Sequence, residues 1–223
     1  MKLVIDHLTR YGYDEEVKFS TQYLRLTPRS TGRQTITAWT LTLPEGAAVT
    51  TTDAWGNVLH VLTLDNPHKE IAIRASGIVD IAEDSEQSDV AEEELLSPLV
   101  YLRCTPLTRA DDRIREFARR LYRHDEPEES LNQLMADLLL RMPYSPGATQ
   151  VQDSAADAFA RAKGVCQDHT HVFLACCRAL EIPARYVSGY VYSDNAQHVA
   201  MHAWGEVWLN GRWQSFDITN NTR

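Results

Sequence analysis

The run Gly164-Val165-Cys166-Gln167-Asp168 decides how the second half of the chain is interpreted. We expect Gly164, which tolerates a positive φ, to end one helix, and Cys166 to begin the next, over residues 166–180. A thiol at a helix start meets unpaired backbone N–H groups and the positive end of the helix dipole, and both favour the thiolate. The run therefore predicts a nucleophilic cysteine at a helix N-terminus.

A histidine and an aspartate follow Cys166 in the order that a cysteine nucleophile requires. His202 begins a His-Ala-Trp run, and Asp217 comes fifteen residues later. Imidazole can act as the base for a thiol, and a carboxylate can orient the imidazole and stabilise its charged form. We predict that Cys166, His202 and Asp217 act as nucleophile, base and orienting group. The alternative base is His198, which lies nearer to a loop.

Asn210-Gly211 predicts a type I′ hairpin between strands over residues 199–209 and 212–218. With a two-residue loop, Leu209 faces Arg212. Counting outward from this pair places His202 and Asp217 on one face as diagonal neighbours, roughly 7–8 Å apart between backbones. A slip of one residue would put them on opposite faces. The turn alone therefore predicts a histidine–aspartate hydrogen bond.

Composition limits the classes of partner. The chain has 223 residues, of which 43% are hydrophobic and 24% charged, and its formal net charge is −9. These values fit a globular protein with one large domain or two small ones. An acidic chain is a poor candidate for binding nucleic acid or an anionic membrane. We expect neither partner, because the sequence also lacks an apolar run of 18 residues and a recognisable signal peptide.

The four cysteines predict a reducing compartment. They are Cys104, Cys166, Cys176 and Cys177, and no C-x-x-C spacing occurs among them. Adjacent cysteines do not easily form a disulfide with each other, so we expect free thiols and a cytoplasmic location. Cys176 and Cys177 fall on the apolar side of the predicted helix and are interpreted as core residues.

The first eighty residues predict β structure. Short alternating stretches end at turn residues, which favours a sandwich, with a small antiparallel module as the alternative. A change of alternation between Leu24 and Leu26 predicts a bulge. Glu83 to Glu94 carries seven acidic residues in twelve and is interpreted as a solvated linker. We therefore expect an N-terminal β domain over residues 1–95.

The remaining residues, 96–223, alternate helical and strand patterns and predict a catalytic α+β domain. Thr108 is expected to cap a helix over residues 110–122, and Pro127 to open a second that ends before Pro143. Ser154 and Asp157 resemble a capping box on a third. A strand over residues 184–192, a turn at Asp194-Asn195 and the hairpin complete the domain.

Several residues have a predicted role beside the nucleophile. The Cys166 backbone N–H is the expected oxyanion donor, and Tyr144 and Gln167 are candidates for a second donor. Trp204 and Trp208 either line an acyl groove or pack across the hairpin. His169 and His171 suggest a zinc site with Cys166, but the sequence offers no second close pair of ligands, so no metal is predicted.

Taken together, the motifs resemble those of a known family. Residues 182–190 read Ile-Pro-Ala-Arg-Tyr-Val-Ser-Gly-Tyr, and with the cysteine, histidine and aspartate motifs they are similar to a bacterial transglutaminase-like protein. This group is often described as cysteine proteases. Residues 6–11 and 24–29 resemble the N-terminal β domain of the same proteins. Glu181 departs from the pattern, since the family usually has glycine before Ile-Pro, and it is expected to introduce some strain.

The resemblance implies a papain-like, transglutaminase-like α+β core, preceded by a β-sandwich-like domain. It also implies acyl transfer from amide bonds of peptide or protein substrates, either to water or to an amine. Cys166, His202 and Asp217 would be the catalytic residues, and no metal or other cofactor is needed. Two alternatives remain at this point: a non-catalytic protein-binding module with a vestigial thiol site, and an acetyl-type transferase.

Overall fold

A computed structural model describes residues 1–82, 96–191 and 201–223 of the chain. The chain divides into two compact units, residues 1–96 and 97–223. Three features predicted from the sequence lie outside the described residues: the acidic linker at Glu83 to Glu94, the turn at Asp194-Asn195, and His198.

The first unit is a β-sandwich of two three-stranded antiparallel sheets. Strands β1, β6 and β3 form one sheet in that order, and β2, β5 and β4 form the other. Buried leucines of the second sheet pack against Ile71 and Ile73 of the first, which confirms the predicted sandwich. The strands are β1 Lys2–Val17, β2 Ser20–Thr27, β3 Gln34–Thr42, β4 Ala47–Thr52, β5 Val58–Leu64 and β6 His68–Ile81.

Two local features of the sandwich bear on the sequence predictions. The β2–β5 register shifts between Leu24 and Thr27, which confirms the predicted bulge. Strand β4 was not predicted, because all six of its residues are exposed. An edge strand without a buried face has no alternation of apolar and polar residues for a pattern to detect.

The second unit is built around one buried helix. Ten consecutive residues, 168–177, are buried, because three helices and a sheet pack around α4. The helices are α1 Asp112–Leu121, α2 Pro127–Arg141, α3 Ala155–Arg161 and α4 Cys166–Ala179. Short 3₁₀ turns at Pro98–Leu102 and Pro106–Thr108 precede them. No helix in the described ranges is long and apolar enough to cross a membrane.

Of the predicted N-terminal caps of α1 and α3, the structure has the second but not the first. Helix α3 has the predicted capping box, in which Ser154 and Asp157 bond each other's backbone N–H groups. The predicted cap of α1 was wrong: Asp111 caps it, through a 2.9 Å bond from the Ile114 N–H to Oδ1. Thr108 instead accepts a 2.7 Å bond from the half-buried Arg178. An aspartate directly before the helix has the better position, since a cap accepts from the third helical N–H.

The sheet of the second unit has the order β7–β8–β9, with strands Ala184–Tyr190, Met201–Leu209 and Arg212–Phe216. Leu209 pairs with Arg212, and the register runs to Gly205 opposite Phe216. The predicted hairpin register is therefore confirmed. Asn210 and Gly211 both have positive φ, as a type I′ turn requires. Strand β9 ends two residues earlier than predicted, so Asp217 lies just beyond the sheet.

Candidate active site

Cys166 is the first residue of α4 and is half-buried. The turn before it is fixed by Asp168, which is 1% exposed. Its Oδ2 accepts a bond from the Val165 N–H at 2.8 Å and one from the Thr149 hydroxyl at 2.6 Å. The aspartate thus bonds an N–H at the helix start, and it ties the preceding loop to the residue before the cysteine.

Gly164 has a role different from the predicted one. The residue that ends α3 in the left-handed conformation is Ala162, with φ of 54°. Gly164 does not have a positive φ. A Cβ at this position would lie 2.6 Å from Cβ of Asp168 and 2.8 Å from its Oδ2. Glycine is required here because the capping carboxylate occupies the space of a side chain.

His202 and Asp217 form the predicted hydrogen bond. Nε2 of His202 lies 2.7 Å from Oδ2 of Asp217. Both side chains are largely buried, at 13% and 15% exposed. Asn220 also holds the carboxylate: its Nδ2 lies 2.7 Å from Oδ2, and its backbone N–H donates to Oδ1 at 3.2 Å. The carboxylate is therefore held by three donors.

The thiol of Cys166 is electrostatically coupled to the same histidine. Cys166 and His202 each shift the pKa of the other, and since Nε2 serves Asp217, Nδ1 is left for the thiol. The backbone N–H groups of Gln167 and Ala203 also lower the pKa of the thiol. The β8–β9 register runs no further than Gly205, so the Ala203 N–H, on the same edge of β8, is available to the thiol.

The electrostatics of these three side chains favour the charged forms of Cys166 and His202. Burial raises the pKa of the Cys166 thiol, but the bond and charge of His202 and the two backbone donors outweigh it, and the pKa falls below its usual value. Hydrogen bonds to Asp217 and Cys166 raise the pKa of His202 to about 9. Burial raises the pKa of Asp217, yet the bonds from His202 and Asn220 leave it below its usual value. A thiolate beside an imidazolium is the form that these shifts stabilise.

The three candidate oxyanion donors, Cys166, Gln167 and Tyr144, differ in where their polar groups lie relative to the thiol. As the first residue of α4, Cys166 has a backbone N–H without an intrahelical acceptor. The Gln167 backbone N–H helps to lower the pKa of the thiol, while its side-chain amide donates to the Val151 carbonyl at 3.0 Å. Tyr144 is 54% exposed and pairs by a parallel bridge with Gly164, two residues before the nucleophile.

The two tryptophans lie in different parts of the sheet. Trp204 is beside His202, with ring centroids 6.3 Å apart and planes inclined by 25°. Trp208 lies six residues from His202 along β8, about 20 Å away. Its ring packs edge-on against Trp213, with centroids 5.4 Å apart. The structure therefore brings Trp204, but not Trp208, to the cysteine–histidine pair.

The histidines of α4 contact neighbouring elements rather than each other. Nδ1 of His169 lies 3.0 Å from the Thr219 hydroxyl, and the His171 ring lies 5.4 Å from the Tyr186 ring. Burial lowers the pKa of both imidazoles. In the described part of the chain, no cluster of three or more His, Cys, Asp or Glu side chains has the geometry of a metal site.

Comparison with known proteins places the chain in a family. The model of the Transglutaminase-like superfamily matches residues 115–218, and that of the bacterial transglutaminase-like N-terminal region matches residues 3–80. An uncharacterised protein of Mycobacterium leprae is 31% identical over 234 residues, which cover 99% of this chain and 84% of that protein. The chain belongs to the transglutaminase-like superfamily. The predicted resemblance is confirmed.

Two further comparisons extend the match. An uncharacterised protein of Mycobacterium tuberculosis is 28% identical to this transglutaminase-like chain over 246 residues, covering 97% of the chain and 78% of that protein. A solved structure from Cytophaga hutchinsonii, named as a candidate cysteine protease, has a TM-score of 0.78 at 23% identity, covering 98% and 76%. At that identity the likeness shows a shared fold, and it confirms the predicted α+β class.

Three residues near the thiol of this transglutaminase-like chain were missed in the sequence. Asn220 and Thr149 bond the carboxylates of Asp217 and Asp168. Burial, and then the nearby charges of Cys166 and Asp168, raise the pKa of Tyr186 to about 12, so its hydroxyl stays protonated. No spacing rule identifies Thr149 or Tyr186. Asn220 was detectable in principle, because an amide three residues after a carboxylate can reach back within a turn.

Proposed function

We propose that this protein is a thiol-dependent acyl-transfer enzyme that acts on amide bonds of peptides or proteins. The observation that carries the proposal is the 2.7 Å bond between His202 and Asp217, beside a Cys166 thiol whose pKa His202 lowers. Membership of the transglutaminase-like superfamily supports the same chemistry. Cys166 is the nucleophile, His202 the acid and base, and Asp217 the group that orients the imidazole.

In the first half-reaction the Cys166 thiolate attacks the carbonyl carbon of the amide. A C–S bond forms and the π electrons of the carbonyl move to oxygen. The Cys166 backbone N–H donates a hydrogen bond to this oxyanion and stabilises it. As the tetrahedral intermediate collapses, the C–N bond breaks and the His202 imidazolium gives its proton to the leaving amine. The products are a free amine and a thioester on Cys166, with His202 neutral.

In the second half-reaction water or a primary amine attacks the thioester carbon. His202 takes a proton from the attacking group, the C–S bond breaks, and the thiolate–imidazolium pair returns. Water gives net hydrolysis and an amine gives net transamidation. Both outcomes use the same residues, so both acceptors belong in the test.

We assign the chemistry to a catalytic domain over residues 96–223 and assign an accessory role to the β domain over residues 1–95. All four cysteines are free thiols, which supports a cytoplasmic setting. The expected partners are peptide or protein substrates rather than nucleic acid or a membrane, in keeping with the net charge of −9.

The first test measures iodoacetamide alkylation of Cys166 by mass spectrometry as a function of pH. We expect the wild type to label well below pH 8 and His202→Ala to label more slowly there, because the imidazolium stabilises the thiolate. His124→Ala removes a histidine that packs on Tyr122, outside the site, and is the matched control. Equal labelling of wild type and His202→Ala at every pH would refute an activated pair and favour a binding module.

A second assay measures turnover. Release of peptides from an unfolded protein substrate reports hydrolysis, and incorporation of a fluorescent primary amine into the same substrate reports transamidation. Cys166→Ala is expected to abolish both while it leaves the circular dichroism spectrum unchanged. Turnover that persists in this variant would overturn the assignment of the nucleophile.

A further inference from the structure

Trp204 is the aromatic neighbour of the His202 ring. Asp217 binds Nε2, Nδ2 of Asn220 lies 3.4 Å from the same nitrogen, and the indole of Trp204 stacks beside the ring with an interplanar angle of 25°. His202 and Trp204 are two residues apart on β8, so their side chains project from the same face. The imidazole is thus bonded at Nε2 and flanked along one side.

The position of the indole is fixed by a glycine on the neighbouring strand. Gly189 of β7 pairs directly with His202. A Cβ on Gly189 would lie 2.8 Å from Cη2 and 3.2 Å from Cζ3 of Trp204. The outer ring of the indole therefore rests on the backbone of Gly189. Any side chain at that position would push the indole out of its place beside the imidazole.

We infer that Trp204 is a positioning residue for His202 and that Gly189 provides the surface on which its indole rests. The inference rests on the proposed function, in which the imidazole must hold its plane while it exchanges protons with the leaving amine and the attacking group and keeps its bond to Asp217. Rotation about the last bond of a histidine side chain is only weakly restricted by itself. A packed aromatic ring beside it limits that rotation and keeps Nδ1 directed at the sulfur.

A groove residue and a positioning residue differ in what their loss affects. Loss of a groove residue weakens the binding of a large substrate and changes KM. Loss of a positioning residue also slows the reaction of Cys166 with a reagent as small as iodoacetamide, and it changes the titration of His202. Alkylation and the His202 pKa, measured by NMR, therefore separate the two roles.

The test is a double-mutant cycle between the two positions, read as the alkylation rate of Cys166 at pH 7. Gly189→Ala is expected to slow alkylation about tenfold, since a displacement of about 1 Å has effects of this order or larger. Trp204→Phe removes the outer ring that the new methyl group would contact, and it is expected to slow alkylation about threefold. The combined variant should then be no slower than Trp204→Phe alone.

The control is Gly12→Ala, because a Cβ on Gly12 meets nothing within 4 Å. Folded Gly189→Ala that alkylates at the wild-type rate, or effects that multiply in the combined variant, would overturn the inference. If Gly189→Ala does not fold, Trp204→Ala is measured instead. An unchanged alkylation rate of Cys166 together with an unchanged pKa of His202 in that variant would overturn the inference. If Cys166 is alkylated slowly in His202→Ala but at the wild-type rate in Gly189→Ala, this inference alone is rejected. If Cys166 is alkylated at the wild-type rate in His202→Ala, the proposed function is rejected as well.

Discussion

Nδ2 of Asn220 and Nε2 of His202 each lie 2.7 Å from the same oxygen, Oδ2 of Asp217. Asn220→Ala removes one donor to this carboxylate and is expected to raise the pKa of Asp217 towards its usual value. A hydrogen bond to a charged group contributes about 1.5–3 kcal/mol, so amide turnover should fall roughly tenfold or more. Asn66→Ala, in a turn of the β domain, is the control, and amide turnover at the wild-type rate in Asn220→Ala would contradict this role.

The pH dependence of turnover follows from two opposite shifts. As the pH increases, turnover first rises because Cys166 loses its proton, at a pH below the usual pKa of a thiol. Turnover then falls as His202 loses its proton near pH 9. Asp217→Asn removes the main cause of the raised pKa of His202. The descending limb of the profile for turnover should therefore move below pH 9. A descending limb that stays near pH 9 in this variant would mean that another group controls it.

Gly164→Ala is expected to destabilise the fold. The new methyl group would lie 2.6 Å from Cβ of Asp168, inside the capping turn before Cys166. Overpacking of this kind costs about 1–3 kcal/mol in the free energy of unfolding, measured by urea denaturation. The matched variant Gly12→Ala, with open space around the added group, should not show this loss. Equal stability of the two variants would exclude the steric explanation.

Glu181→Gly is expected to stabilise the protein. Glu181 has φ of 61°, a left-handed conformation that costs a non-glycine residue roughly 1–2 kcal/mol. Glycine loses more backbone entropy on folding, so the net gain should be about 0.5–1 kcal/mol. Glu116→Gly, at an exposed position inside α1, should have the opposite effect. A urea midpoint that falls for both variants would show that no strain is stored at Glu181.

Labelling of native protein should separate the cysteines into two classes. Cys176 and Cys177 are fully buried, and burial raises the pKa of Cys177 to about 12. Only Cys166 and the exposed Cys104 should react with iodoacetamide before unfolding, and all four should react in urea. Native labelling of Cys176 or Cys177 at a comparable rate would mean that α4 opens far more readily than its packing indicates.

The parts of the site that depend on local sequence were predictable. The Asn210-Gly211 turn fixed the β8–β9 register, and with it the hydrogen bond between His202 and Asp217, because strand side chains alternate strictly. Cys166 at a helix start followed from the break in pattern before it. These features require only neighbours in the chain or a short hairpin.

The parts that depend on contacts distant in sequence were not predictable from pattern. Gly164 was predicted to end a helix through a positive φ. The structure instead requires glycine there because Asp168 fills the space of a side chain, and only the fold reveals this contact. Thr149 is nineteen residues from the carboxylate that it bonds. Trp204 was assigned to a groove or to packing across the hairpin, and its contact with Gly189 depends on the β7–β8 register, which no short turn specifies.

Cys166 lies 36 residues before His202 and 51 residues before Asp217. The hairpin that carries His202 is local in sequence, but Cys166 meets it only when α4 is packed against β8. Until then the cysteine keeps the acidity of a thiol in an unfolded chain, about 8.5, and is mostly protonated at neutral pH. The lowered pKa of Cys166 is therefore a property of the packed domain, and it depends on the contact between α4 and β8.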